Sequence, residues 1–223
     1  MSPFEFIIHS LSSKADPTIA IGQEAYMKHH FKFFGVNTTS RRIIYKDLKN
    51  NFNLTELDNS FFELINVLWK EEHRECQYMA IDLMHSNSKK FDASHLPYLE
   101  SLIIHKSWWD SVDGIAPHLV GAVFNKNKDE ILHWIQKWMN SDNIWLQRSA
   151  IIFQLKYGKA TDWDLLCTAI LRHDASTEFF VRKAQGWALR QYSKYEPQLV
   201  LSFVQANPQL SGLTKREALR KII

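Results

Sequence analysis

The sequence predicts an all-α helical-repeat array, and three observations carry that prediction. Tyr78, Asp113, Arg148, Arg182 and Arg216 recur at spacings of 35, 35, 34 and 34 residues, a period typical of stacked helical pairs that bury their apolar faces against one another. Apolar residues follow the aligned position two, three and six or seven places on, as in Ala150, Ile151 and Leu155, which draws one helical stripe facing a core. Alternating strand patterns are absent. The aligned residues themselves fall at the edge of the stripe, where a side chain is expected to reach solvent or a ligand.

Helices are expected over residues 3–14, 16–30, 39–52, 56–70, 73–86, 93–105, 107–124, 127–139, 142–157, 161–173, 177–194, 196–205 and 214–222. Several starts carry capping chemistry. Asp16-Pro17 puts a proline in the first turn, where its missing N–H costs nothing, Thr55 precedes Glu56, and Ser141-Asp142 precedes Ile144 and Trp145. The repeat shows in Tyr78-Met79-Ala80, Arg148-Ser149-Ala150, Arg182-Lys183-Ala184 and Arg216-Glu217-Ala218, each with Ala two places after the aligned residue. Asp113-Gly114-Ile115-Ala116 departs from that pattern and joins on spacing. Pro117 lies inside the helix carrying Asp113; in a straight helix it costs about 3 kcal/mol, so a kink is expected there, eased by Gly114. The kink either accommodates packing between repeats or aims the Asp113 carboxylate. Short connections at residues 125–127 and 157–161 leave no room for a linker, and residues 1–223 are expected to form one domain.

With 45% hydrophobic residues and only 7 Gly and 6 Pro, the chain has the composition of a globular protein rather than a disordered one. Apolar runs such as residues 119–124 fall far short of the roughly 20 residues that span a bilayer. The N-terminal apolar run is broken by Glu5 and His9, unlike a secretory signal. A cytoplasmic protein with no membrane partner is expected. Cys76 and Cys167 fit reduced thiols used as small core residues, and the ten histidines lack the spacing of a zinc motif. No metal and no cofactor are expected. Charge is uneven: residues 28–49 hold Lys28, Lys32, Arg41, Arg42, Lys46 and Lys49 against the single acid Asp47. Such a cluster is either a solvated face or a phosphate-binding surface, and Arg148, Arg182 and Arg216 along the array favour the second.

Trp109 lies four residues before Asp113, so indole and carboxylate share a helical face about one turn apart. Taken alone, Trp108, Trp109, Trp134, Trp138, Trp145 and Trp163 read as packing residues. Trp187 is five residues after Arg182 and four after Lys183, so the repeat does not place it beside Asp113.

Several longer strings resemble the AlkD-like DNA alkylation repair glycosylases. They are Tyr26-Met27-Lys28 through Phe33-Phe34-Gly35-Val36 with Arg41-Arg42, Lys106-Ser107-Trp108-Trp109-Asp110-Ser111-Val112-Asp113, Asp142-Asn143-Ile144-Trp145-Leu146-Gln147-Arg148, and Glu178-Phe179-Phe180 through Gly186-Trp187-Ala188-Leu189-Arg190. The resemblance spans nearly the whole chain. It implies a HEAT-like solenoid with a concave basic face that binds double-stranded DNA and excises cationic alkylated purines such as 3-methyladenine and 7-methylguanine. By the same resemblance Asp113 is the catalytic group, Trp109 and Trp187 flank the lesion nucleotide, and Arg148 contacts the DNA backbone. The basic segment with Tyr26, Lys28, Arg41 and Arg42 matches the DNA-facing N-terminal region. Asn37 approaches the strand opposite the lesion, and Arg182 and Arg190 supply phosphate contacts. A nucleoid-associated monomer is expected.

These residue types suit that chemistry. Alkylation at N3 or N7 already makes the leaving base cationic, so no general acid is needed, and a carboxylate stabilises the oxocarbenium-like sugar as the bond breaks. A unit charge pair at about 4 Å and an effective dielectric near 20 is worth roughly 4 kcal/mol, or about a thousandfold in rate. Indole faces attract cations by about 0.5 to 2 kcal/mol each. Two other readings compete: a noncatalytic HEAT-like protein binding branched or damaged DNA, and a protein-binding scaffold using the same surface. A Schiff-base lyase is disfavoured because no lysine stands out beside Asp113.

Overall fold

A computed structural model describes residues 1–126 and 128–222. The fold is all-α; among the described residues the only extended pairing is an isolated bridge between Lys32 and His73. The chain sorts into two compact units, Met1–Lys90 and Phe91–Ile223, each described in turn.

In the first unit, α1 (Pro3–Ser12) opens with a reciprocal cap, Ser2 Oγ accepting from the Glu5 N–H and the Glu5 carboxylate from the Ser2 N–H. It buries Ile7 and Leu11 against α3 (Thr38–Asn51), which contributes Ile44 and Leu48, and against α4 (Asn59–Lys70). α4 pairs with α5 (Arg74–Ser86). α4 starts three residues later than expected because Asp58, not Thr55, is the cap, its Oδ1 accepting the Phe61 N–H at 2.9 Å.

α2 (Pro17–Tyr26) begins at Asp16-Pro17 as expected but stops four residues early. Lys28 and His29 turn left-handed, with φ 56° and 57°, and the chain enters a loop that α5 holds from a distance. Glu75, only 1% exposed, accepts the Gly35 and Val36 N–H groups at Oε1, both at 3.0 Å, and the Phe34 N–H at Oε2 at 3.1 Å. Gly35 has φ +87°, and a Cβ there would sit 1.9 Å from the Asp16 carbonyl oxygen, so only glycine fits.

The second unit contains α6 (Leu96–Ile104), α7 (Trp109–Ile115), α8 (Gly121–Lys126), α9 (Lys128–Met139), α10 (Ile144–Ile152), α11 (Trp163–Leu171), α12 (Phe179–Tyr192), α13 (Pro197–Ala206) and α14 (Gly212–Leu219). α7 packs on α10, α10 on α12 and α12 on α14, so Asp113, Arg148, Arg182 and Arg216 fall one to a helix in a single layer. The kink expected at Pro117 is a π-helical turn, Ala116–Val120, dividing residues 107–124 into α7 and α8. The Gly121 N–H reaches back to the Ala116 carbonyl, and the wider turn accommodates the proline ring. α10 is capped by Asn143, whose Oδ1 accepts the Trp145 N–H at 2.9 Å, rather than by Ser141-Asp142. It ends at Ile152, and residues 153–156 form turns instead of the expected helix. The helix start and connection expected at Asn127 lie outside the described residues.

Two observations on α12 and α14 give testable expectations. A Cβ on Gly186 would lie 2.4 Å from Glu217 Cβ and 2.8 Å from the Thr214 carbonyl oxygen. Gly186→Ala is therefore expected to force the helices apart at a cost of about 1–3 kcal/mol, read as a lower urea midpoint at unchanged slope. Glu217 accepts from Lys183 Nζ at 2.6 Å and pairs with Arg190. These partners hold its carboxyl below the usual glutamate range. A depressed folded value means that the stabilisation is present above the unfolded value of about 4.3 and is lost as pH falls below it. The thermal-midpoint gap between the parent and Glu217→Gln is expected to be open at pH 7 and to narrow as pH falls below about 4.3.

Cys76 and Cys167 are free thiols. Among the described residues no helix is long and apolar enough to cross a membrane, and no three metal-ligating side chains cluster.

Candidate functional site

The chemistry concentrates where α7, α10 and α12 meet. Arg148 reaches from α10 to Asp113 on α7 with two parallel bonds, Nε to Oδ1 and Nη2 to Oδ2, both 2.7 Å. Its Nη1 donates to the Phe180 carbonyl at 2.6 Å. This fork is the strong geometry for an arginine and a carboxylate. The Trp187 ring of α12 closes the group, with Arg148 Cζ 5.8 Å from its centroid. Trp109 stands on α7 one turn before Asp113.

Arg148 is 3% exposed, which corrects the expectation that every aligned residue reaches solvent. The guanidinium is spent on internal partners. The Asp113 side chain retains 18% exposure, so the carboxylate is the part of the pair that a ligand meets first. Burial pushes the Asp113 carboxyl above the usual aspartate value; the hydrogen bonds and charge of Arg148 pull against burial, and Asp110 adds to the rise.

Trp108, Trp145 and Phe180, read from sequence as packing residues or left unassigned, form a three-ring box beside the pair. Trp108 lies 4.9 Å from Phe180 edge to face, Trp145 5.0 Å from Phe180, and Trp108 5.6 Å from Trp145, between ring centroids. Phe180 and Trp187 are seven residues apart, two turns along one face of α12. That spacing is the signal that places Trp187 at the site, and counting from Arg182 misses it.

The other expected contacts are distributed more widely. Arg182 donates from Nε to the Ser176 carbonyl at 2.5 Å, Arg190 pairs with Glu217, and Arg216 is exposed. In the first unit Tyr26 is 68% exposed, and Lys28 and Arg42 are exposed. Arg41 pairs with Asp82, and its Cζ lies 5.1 Å from the Tyr78 ring centroid. Asn37 caps α3, its Oδ1 accepting the Ser40 N–H at 2.9 Å. A phosphate approaching Arg41 or Arg190 competes with a carboxylate already in place, whereas Lys28 and Arg42 offer their charge at the surface.

Comparison with known proteins follows this geometry. A family model described as DNA alkylation repair enzyme matches residues 7–222. Among solved structures, one described as a predicted DNA alkylation repair enzyme from Enterococcus faecalis superposes with a TM-score of 0.86 at 32% identity, covering 94% of this chain and 97% of that one. The structure of smu.31 from Streptococcus mutans UA159 covers 97% and 96% with a TM-score of 0.60 at 16% identity, a likeness of fold alone. No curated protein matches.

Proposed function

Because the chain belongs to the DNA alkylation repair enzyme family, we propose that it is a DNA glycosylase hydrolysing the N-glycosidic bond of cationic N3- and N7-alkylated purines in duplex DNA. The observation that carries this reading is a partly exposed carboxylate, Asp113, held in a fixed orientation by Arg148, whose guanidinium lies beside the Trp187 ring. The glycosidic electron pair leaves with the base and neutralises it, positive charge grows on the deoxyribose, and Asp113 opposes that charge. Water adds to C1′ and gives its proton to the carboxylate. Trp109 and Trp187 attract the cationic base or sugar through their ring faces, which selects charge rather than base identity. Lys28, Arg42 and the surface cations grip phosphates, so affinity falls steeply with salt. The lesion reacts within the stack rather than in a flipping pocket, and a bulky tethered adduct is accordingly expected to be excised.

The experiment is a time course of base release from duplexes carrying 7-methylguanine, 3-methyladenine or a neutral lesion. Release of the cationic bases and retention of the neutral one is expected; no release from any duplex, with salt-sensitive binding intact, replaces the enzyme with a damage-binding protein. The carboxylate form of Asp113 is the active one. Its value is raised, so the rate is expected to fall on the acid side at a pH above the ordinary aspartate value of about 3.9.

A further inference from the structure

The site holds a second layer that the reaction chemistry does not touch. Trp108 is the residue that leads into α7, in extended conformation with φ −157° and ψ 166°. Trp145 lies in the first turn of α10, and Phe180 in the first turn of α12. The three rings therefore join the starts of the three helices that carry Asp113, Arg148 and the Phe180 carbonyl. That carbonyl is the third anchor of the Arg148 guanidinium, at 2.6 Å. With two bonds to Asp113 and one to Phe180, the guanidinium plane is fixed at three points, and displacing the start of α12 lengthens the third.

The geometry points to the Trp108, Trp145 and Phe180 box as a positioning element that sets the orientation of the Asp113 carboxylate through the Phe180 carbonyl and Arg148. These rings are positioning residues; none is placed against the reacting atoms. The inference rests on the reading of Asp113 as the catalytic carboxylate, but the coupling itself is a property of the free protein. Core packing alone explains why three aromatics meet. It does not explain why the carbonyl of one of them is the acceptor that completes the Arg148 fork. Misplacing a catalytic group by about 1 Å costs up to about a hundredfold in rate.

Phe180→Leu and Trp108→Leu test the coupling, with Trp108→Phe as the conservative control. The first readout uses no DNA: the Asp113 carboxyl is titrated by carbon NMR in each folded variant. Arg148 from α10 and Asp110 from α7 are the charged groups that act on that carboxyl. Loosening Arg148 removes the favourable field, so the midpoint is expected to move upward in both leucine variants and to stay at the parental value in Trp108→Phe. The second readout is single-turnover release of 7-methylguanine, expected to fall about tenfold at a DNA affinity within about twofold of the parent, with Trp108→Phe restored. Parental titration midpoints and rates in folded Phe180→Leu and Trp108→Leu overturn the coupling. If a leucine variant unfolds, Trp145→Leu, which removes a different ring of the same box, carries the same two measurements. Failure of the parental protein to release any base removes the glycosylase reading, while the titration still decides the coupling.

Discussion

Asp113→Asn is expected to abolish release of 7-methylguanine while leaving salt-sensitive binding to duplex DNA in place. The substitution keeps the side chain's shape and removes one negative charge. Under the proposed function that charge faces a developing sugar cation, and at about 4 Å with an effective dielectric near 20 its loss is worth roughly 4 kcal/mol, about a thousandfold in rate. A second effect follows from the fork. An amide offers Arg148 one acceptor and one donor in place of two acceptors, so Nε or Nη2 loses its partner in a site where Arg148 is 3% exposed. Removing one partner of a buried ion pair costs about 3–5 kcal/mol, an upper figure here because the Asp113 side chain retains 18% exposure. The thermal midpoint is therefore measured beside the rate. Loss of release in a folded variant, at a temperature well below its midpoint, supports the catalytic role; excision at the parental rate ends it.

Under the proposed function, the same pair distinguishes the free protein from the DNA-bound one. Both Asp113 oxygens are capped by a cation, which lowers the field the carboxylate can direct at a substrate. Under the proposed function, a DNA phosphate that draws Arg148 away from Asp113 weakens that capping. Binding of duplex and activation of the carboxylate are then linked through one side chain. The 35-residue spacing between Asp113 and Arg148 puts them on adjacent repeats of the stack.

Legibility of the sequence divides along the range of the interactions. The layer of α7, α10, α12 and α14 follows from spacings of 34 and 35 residues, and the π turn at Pro117 follows from a missing N–H, a local cause. Helix ends were less legible where the cap lay nearby but was not the first candidate, as at Asp58 and Asn143. The end of α2, where Lys28 and His29 turn left-handed, and the loop at residues 34–36 were not legible, the loop because its anchor is a carboxylate distant in sequence, Glu75 on α5. Within the site, Asp113, Trp109 and Arg148 could be aligned by periodicity and spacing. The aromatic box and the Phe180 carbonyl could not, since neither the register of three rings on three helices nor a backbone acceptor leaves a mark on residue type.

Glu75→Ala is expected to be the most damaging change away from the site. Its carboxylate is the acceptor for the backbone N–H groups of Phe34, Gly35 and Val36, at 3.0 to 3.1 Å, and it is 1% exposed. The Gly35 and Val36 bonds are buried and the Phe34 bond part-buried; each buried donor left without an acceptor costs about 1–3 kcal/mol, so the loss is at least about 2 kcal/mol, a large share of a typical domain stability of about 5–15 kcal/mol. Glu75→Gln keeps one acceptor oxygen. If the amide oxygen occupies the Oε1 position, the Gly35 and Val36 bonds survive and the amide nitrogen faces the Phe34 N–H, donor to donor, for a smaller loss. Urea unfolding is expected to rank the parent above Glu75→Gln and Glu75→Ala last. An alanine variant with the parental midpoint removes Glu75 as the anchor of this loop. The loop carries Lys28 in a left-handed conformation that its fold must enforce. Under the proposed function, salt-sensitive affinity for duplex DNA therefore falls in both variants in the same order as stability, at temperatures where each remains folded.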